Sequence, residues 1–260
     1  MFSSLKRTLD KVGNTDVIRV PSIHNKNKHI YLKLENQNPS GTIKDRLAKH
    51  IILKNYKYNH FVDASIGNFA VSMSWFASLA NKKASFFISE NIEFSIVDKI
   101  RDVGGELIFF DADDLEIMSN QARVYASENN LFFCGQFKKN YEQYYAKTLY
   151  LELKKQIQTI DYVVMFYGSG DTIRGLMHSF PEKWKTQFFS ATLDKTSLDK
   201  QPGVSALEVD IDFVQEVQKY LLINQGVRSG FIGAINAAGA MQVSKDNGNG
   251  TILTFISDSP

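Results

Sequence analysis

The chain has 260 residues, 43% of them hydrophobic, enough for one large or two modest domains with a real core. Its 30 basic and 28 acidic residues leave a formal charge of +2, which argues for neither a nucleic-acid nor a membrane surface. One cysteine, Cys134, excludes an internal disulfide framework, no apolar run is long enough to span a membrane, and the opening MFSSLKRTLDKVGN lacks the apolar stretch of a signal peptide. The expectation is a soluble, cytoplasmic, globular protein.

Strand-like and helix-like segments alternate. IYLKLE reads as a short strand, and a helix with apolar Leu47, Ala48, Ile51 and Ile52 on one face follows over roughly 42–56. HFVDAS, KASFFIS and ELIFFDA are strands, each followed by a helix, over 68–81, 94–103 and 114–129. DYVVMFYGSG runs from a strand into a glycine-rich turn, with a helix from about Thr172. Helices over about 213–222 and 233–243 and a final strand, GTILTFIS, complete the pattern. Helices set between hydrophobic strands imply parallel sheets with crossover connections. The three strand–helix pairs between Phe61 and Asn129 are enough for a sub-sheet of their own. No repeat or low-complexity tract interrupts the chain, so the expected architecture is α/β with two lobes and a cleft between them.

In open α/β sheets ligands bind beyond the carboxyl ends of strands. Three turns fall at such ends. In NPSGTIKDR, Asn38, Pro39 and Ser40 are turn chemistry and Gly41 frees the backbone, which sets Lys44 in a first helical turn where the dipole is positive. A solvated surface lysine and a functional amine both fit that position. DASIGNFA is a small-residue turn into a helix, with Asn68 placed either as a plain cap or as a ligand group. GSGDTIRG follows a strand and precedes a helix. It fits a tight turn capped by Thr172, and equally a nest of backbone N–H groups that would hold a phosphate.

Taken in order, these three turns resemble the fold-type II pyridoxal-phosphate enzymes, and more narrowly the cysteine synthase and cystathionine β-synthase family. KLENQNPSGTIKDR is similar to the family's lysine motif almost residue for residue. VGNTDVIRV resembles its N-terminal Gly-Asn-Thr-Pro segment, KIRDVGGELIFFD its helix-to-strand step, and GQFKKNYEQYY the segment before a long helix. The likeness runs to about Arg174 and more loosely from Gly226 to the end. It implies a tryptophan synthase β-like, two-lobed fold. Residues 1–11 and 37–149 would form a smaller, mobile lobe, and 12–36 and 150–260 a larger one carrying the phosphate turn.

The resemblance also implies roles. Lys44 would hold the cofactor, pyridoxal 5'-phosphate, as a Schiff base and then move the substrate's α-proton. Asn68 would bond the cofactor's ring oxygen, and Gly168, Ser169, Gly170 and Thr172 would hold its phosphate. Ser65, Ile66 and Gly67 would bind the substrate carboxylate, with Gln136 nearby. The implied chemistry is β-replacement or β-elimination on O-acetylserine, serine, O-phosphoserine or cysteine. Relatives are mostly homodimers, and some accept a partner protein's C-terminal peptide.

Four features depart from the family pattern. Asp171 stands where the phosphate turn usually has glycine. A carboxylate about 4 Å from a phosphate costs about 4 kcal/mol at an effective dielectric near 20, unless it points away as an ordinary acidic residue of a first helical turn. Phe231, in SGFIGA, stands where a serine or threonine faces the pyridine nitrogen, and a slip of register would let Ser229 serve instead. Ile66 and Phe69 replace small polar residues of the substrate loop. The stretch Phe189–Val209 is short, and relatives continue past SDSP.

A working enzyme is the first reading, and a degenerate relative acting as a binding or regulatory protein is the second. A nucleotide-binding dehydrogenase fails on glycine spacing. The five histidines, His24, His29, His50, His60 and His178, show no metal-ligand spacing, and Cys134 reads as a small buried hydrophobe.

Overall fold

The computed structural model describes every residue except 1, 26–27, 66, 91–93, 112–113, 137–139, 195–201 and 247–249. The chain divides into two units, one of Met1–Val12 with Asn38–Tyr141 and one of Gly13–Gln37 with Glu142–Pro260.

The first unit is built on a four-stranded, all-parallel sheet. Its strands are β3 (His60–Ala64), β4 (Lys83–Ser89), β5 (Glu106–Phe110) and β6 (Phe132–Phe133), in the order β5-β4-β3-β6. This sub-sheet was legible in the sequence apart from its two-residue edge, β6. β4 is buried along all but its first residue, the signature of a parallel strand covered on both faces. The helices α3 (Asn68–Leu79), α4 (Phe94–Asp102) and α5 (Leu115–Glu128) make the three crossovers, and α2 (Asp45–Lys54) leads into β3. α5 presents Met118, Ala122 and Ala126 at fourfold spacing to Val62, Ala64 and Phe87 of the sheet. Asp114 caps α5 by accepting from the N–H groups of Glu116 and Ile117. A first helix, α1 (Phe2–Leu9), which sequence patterning does not announce, buries Leu5 and Leu9, one turn apart.

The second unit holds a six-stranded sheet in the order β1-β2-β10-β7-β8-β9. Its strands are β1 (Val17–Pro21), β2 (His29–Lys33), β7 (Tyr162–Met165), β8 (Gln187–Thr192), β9 (Val204–Glu208) and β10 (Ile252–Phe255). Only β1 runs antiparallel to its neighbour. The stretch Phe189–Val209, short by the family pattern, forms most of β8 and all of β9, an edge pair in parallel register from Phe188↔Val204 to Thr192↔Glu208. The unit's helices are α6 (Asn140–Gln156), whose first two residues lie in the first unit, then α7 (Asp171–Met177), α8 (Ile211–Gln225) and α9 (Phe231–Asp246).

α9 is apolar all round because it is buried: Ala234, Ala237, Ala238, Ala240 and Met241 are inaccessible. A side chain at Gly239 would put its Cβ 2.7 Å from the Ala191 Cβ and 2.9 Å from Val164 Cγ1, so the glycine lets this helix lie directly on β7 and β8. A buried polar cluster ties β2 to α6. Lys33, fully buried, donates to Thr15 O (2.6 Å), Glu152 Oε2 (3.0 Å) and Gln156 Oε1 (2.9 Å). Among the described residues no helix is long and apolar enough to cross a membrane.

Candidate functional site

The lysine loop lies in the first unit. The sequence places a helix from about Thr42, but α2 begins at Asp45, because the preceding residues are held in a turn. Gly41 has φ +85°, and the Thr42 hydroxyl accepts from the Lys44 N–H (3.1 Å). Lys44 is thus the residue before the first helical turn, half-buried, and its side chain makes no cap. The loop is fastened from within. Asp45, fully buried, accepts from the Ser40 N–H (2.6 Å) and from the Ser40 hydroxyl. The Ser40 hydroxyl also lies 3.2 Å from that of Ser72, on α3, which connects this loop to the helix that Asn68 opens.

At the carboxyl end of β3 the chain turns through Ser65 and Gly67 into α3, whose first residue is Asn68. Ile66, expected in the substrate loop, lies outside the described residues. Phe69, also expected in that loop, is buried and packs edge-on to Phe86. From the carboxyl end of β6, Gln136 is brought to the same place. Its backbone N–H donates to Asp63 Oδ2 (3.0 Å) and its side-chain amide to Ala64 O (3.0 Å). The Gln136 amide nitrogen, expected near the substrate, is therefore bonded to the adjacent loop.

The glycine-rich turn lies in the second unit, between β7 and α7. Gly168 and Gly170 have φ +54° and +75°, conformations that favour glycine. A Cβ on Gly170 would sit 2.1 Å from Arg174 Nη1 and 2.6 Å from the Tyr167 hydroxyl. Asp171 is fully buried in the first turn of α7. One of its oxygens accepts from the Ser169 hydroxyl (2.8 Å), and the other lies 3.4 Å from Arg174 Nη2. Arg174 also donates to Ser169 O (3.1 Å) and the Tyr167 hydroxyl (2.6 Å) of the turn, and to Glu142 Oε1 (2.6 Å) on α6. Burial works to lower the Arg174 pKa, but the bonds to Glu142 and Tyr167 outweigh it and raise the pKa above its ordinary value. Sequence reading weighed Asp171 alone and passed over Arg174. The i, i+3 spacing of the two in a helix was the available signal.

The predicted ligand residues differ in what they are already bonded to. The side chains of Ser65, Asn68 and Thr172 have no hydrogen-bond partner among the described residues. Ser65 and Thr172 are nonetheless buried. The Ser169 hydroxyl and the Gln136 amide, by contrast, are engaged within the protein.

The segment SGFIGA opens α9. Phe231 is half-exposed, whereas Ser229 is buried with a hydroxyl that has no partner among the described residues. The glycines beside them make room for Asp258. A Cβ on Gly230 would lie 2.5 Å from the Asp258 Cγ, and the Asp258 carboxylate accepts from Gly233 N–H (2.8 Å) and Ile232 N–H (3.4 Å). A carboxylate 25 residues downstream of Gly233 thus caps α9. Among the described residues no group of histidine, cysteine or acidic side chains is arranged to hold a metal. Cys134 is buried, as its surroundings suggest, and is in no disulfide.

The fold is shared with known structures. The chain is similar to an O-ureido-L-serine synthase bound to O-ureido-L-serine (TM-score 0.84, 18% identity, covering 97% of this chain and 89% of that one). It is similar to a hydrogen sulfide-producing enzyme from Fusobacterium nucleatum (TM-score 0.83, 19% identity, 100% and 90% covered). It is also similar to an O-acetylserine-dependent cystathionine β-synthase from Helicobacter pylori (TM-score 0.81, 18% identity, 97% and 94% covered). These likenesses establish the fold-type II architecture. Residues 8–197, which include Lys44, the Ser65–Asn68 turn, Gln136 and the glycine-rich turn, match the family described as pyridoxal-phosphate dependent enzyme. The chain belongs to the pyridoxal-phosphate-dependent enzyme family.

Proposed function

We propose that this protein catalyses β-replacement or β-elimination on a small amino acid of the serine type: O-acetylserine, serine, O-phosphoserine or cysteine. The observation that carries the reading is the set of polar side chains without a protein partner among the described residues, Ser65, Asn68 and Thr172, at turns inside the region that matches the family. The Ser229 hydroxyl is fully buried without a partner among the described residues, which costs stability unless a ligand or water satisfies it.

The residues present fit pyridoxal phosphate. Gly168, Gly170 and Thr172 form a turn in which a side chain on Gly170 has no room. Thr172 follows as the second residue of α7. The charge of Asp171, the feature that most threatens an anion site, is bound by the Ser169 hydroxyl and Arg174. We assign Gly168, Ser169, Gly170 and Thr172 to the phosphate, Asn68 to the ring oxygen and Lys44 to the aldehyde. Ser229, with its buried and unpartnered hydroxyl, is the residue we assign to the pyridine nitrogen in place of Phe231.

When bound, the cofactor supplies an electron sink adjacent to the substrate's Cα. The chain's own residues do the rest. Ser65 and Gly67, with Gln136 beside them, hold the substrate carboxylate and fix its orientation. The Lys44 amine takes the α-proton and returns it. The leaving group departs from Cβ. In the names of the similar proteins, O-ureido-L-serine and O-acetylserine are O-substituted serines, and hydrogen sulfide is a small group of the kind that can leave from Cβ. We also expect a homodimer.

The test is a titration of the purified protein with pyridoxal phosphate, followed by visible absorbance, beside a Lys44→Ala variant. The wild type is expected to gain a band that the variant lacks. O-acetylserine, serine, O-phosphoserine and cysteine are then added in turn, and the substrate shifts the band. A wild type that gains no band in excess cofactor would sink this reading. The protein would then be a degenerate relative whose partners, a C-terminal peptide among them, must be sought by binding.

A further inference from the structure

Asp63 is the last acidic residue of β3 and is fully buried. It stands apart from the residues assigned above, yet it joins two of the segments that carry them. Its Oδ1 accepts from the Ala64 N–H (2.9 Å), at the mouth of the Ser65–Asn68 turn. Its Oδ2 accepts from the Gln136 N–H (3.0 Å), in the segment that leaves β6. Gln136 reciprocates by donating its side-chain amide to Ala64 O (3.0 Å). Behind this strap, Cys134 N–H donates to Val62 O (2.8 Å) and the Tyr141 hydroxyl to Cys134 O (2.8 Å), while Gly135 turns the chain with φ +59°.

We propose that Asp63 is a positioning residue for substrate binding: its two oxygens, with the Gln136 amide, hold the end of β3 at Ala64 to the Gln136 segment and so fix Ser65 and Gln136 relative to each other for the substrate carboxylate. The proposal rests on the functional reading above, which gives both segments to the substrate. The chemistry demands a carboxylate. Two N–H donors from different segments converge on the side chain, one on each oxygen. An asparagine offers one acceptor and one NH2 group, and the NH2 group would face an N–H donor instead of accepting from it. β3 and β6 pair over only two residues, Phe61↔Phe132 and Val62↔Phe133, so their ladder ends before either loop begins. Beyond it the register of the two loops is held by Asp63, Ala64 and Gln136.

The Asp63 hydrogen bonds to Ala64 and Gln136 act on the segments given to the substrate, so its loss should fall on substrate binding more than on cofactor binding. The experiment titrates wild type and Asp63→Asn with pyridoxal phosphate, then each loaded protein with the accepted substrate, following the visible band, and compares thermal midpoints. The expected result is a substrate half-saturation raised roughly tenfold to hundredfold, with cofactor affinity within about twofold of wild type. Gln136→Ala, which removes one bond of the strap but keeps Asp63, should shift substrate affinity in the same direction. Substrate half-saturation within about twofold of wild type in Asp63→Asn would overturn the proposal. So would a parallel loss of cofactor affinity, substrate affinity and thermal midpoint, the pattern of a residue that only holds the sheet together. If Asp63→Asn does not fold, Asp63→Glu keeps both acceptor oxygens, displaces the strap by one methylene and is judged by the same two criteria. Failure of the wild type itself to bind pyridoxal phosphate would be a failure of the functional reading, seen before any variant is compared.

Discussion

Arg174 Nη2 lies 3.4 Å from Asp171 Oδ1, within one turn of α7, while the same guanidinium holds Ser169 O, Tyr167 and Glu142. The buried acid and its cation therefore arrive in the turn together. Breaking such a pair by removing one member leaves an uncompensated buried charge. Arg174→Ala is expected to destabilise the protein by about 3 kcal/mol and to weaken pyridoxal phosphate binding, because the turn would then carry the Asp171 charge alone. The double variant Arg174→Ala with Asp171→Gly should recover much of both. Denaturant midpoints and cofactor titrations of the four proteins form the cycle, and strictly additive effects would count against coupling.

The uncommitted hydroxyls give a prediction of opposite sign for stability. Ser65→Ala and Thr172→Val remove no bond within the protein among the described residues, so the ligand-free protein should unfold within about 0.5 kcal/mol of wild type, or slightly later. Thr172→Val should nevertheless weaken pyridoxal phosphate binding, and Ser65→Ala should weaken substrate binding. Ser169→Ala, which loses a bond to Asp171, is the contrast and should cost stability of the ligand-free protein by about 1 kcal/mol. Melting curves without ligand, set beside ligand titrations, separate the two classes.

Asp258 caps α9 from a distance, so its removal should be felt by the helix as the loss of a cap. Asp258→Ala is expected to cost about 1 to 2 kcal/mol, measured as a lower denaturant midpoint with an unchanged slope. No change in midpoint would mean that water satisfies the first N–H groups of α9 equally well.

Two histidines of the first unit make stability fall on mild acidification. Burial, followed by Lys54, pushes the His50 pKa below its ordinary value of 6.5. At His60 burial is again the leading cause; Glu106 works against it and Lys83 with it, and the net shift is downward. The His60 Nε2 also lies 2.6 Å from the Ser85 hydroxyl, which donates to Glu106. Both rings bind a proton more readily in the unfolded chain than in the fold. Their contribution is therefore fully present above the unfolded value of 6.5, and it is lost as pH falls through the lower folded values. Thermal midpoints of wild type should drop between about pH 7 and pH 5, and a His50→Asn, His60→Asn double variant should show a flatter profile. Equal slopes would refute the assignment.

The sequence by itself determined the alternation of strands and helices in the first unit, because those strands are strongly apolar and their helices carry a periodic face. It also located the turns at Lys44, Ser65–Asn68 and Gly168–Thr172, to which the proposed ligand roles are given, because their small and turn-forming residues stand out between apolar strands and periodic helices. α1, β1, β6, β8 and β9 escaped it: they are short, and partners distant in the chain stabilise them more than their own pattern does. Tertiary structure alone decided the fate of the charges. Asp171 looked like a threat to an anion site until α7 set Arg174 beside it. Asp63 looked like an ordinary residue of a strand until β6 delivered the Gln136 N–H to its second oxygen. Asp258 gained its role only when β10 ended beside the first turn of α9. A hydrogen bond or ion pair needs its partner within about 3 Å in the right direction, and between residues 25 or 73 positions apart only the packed fold supplies that.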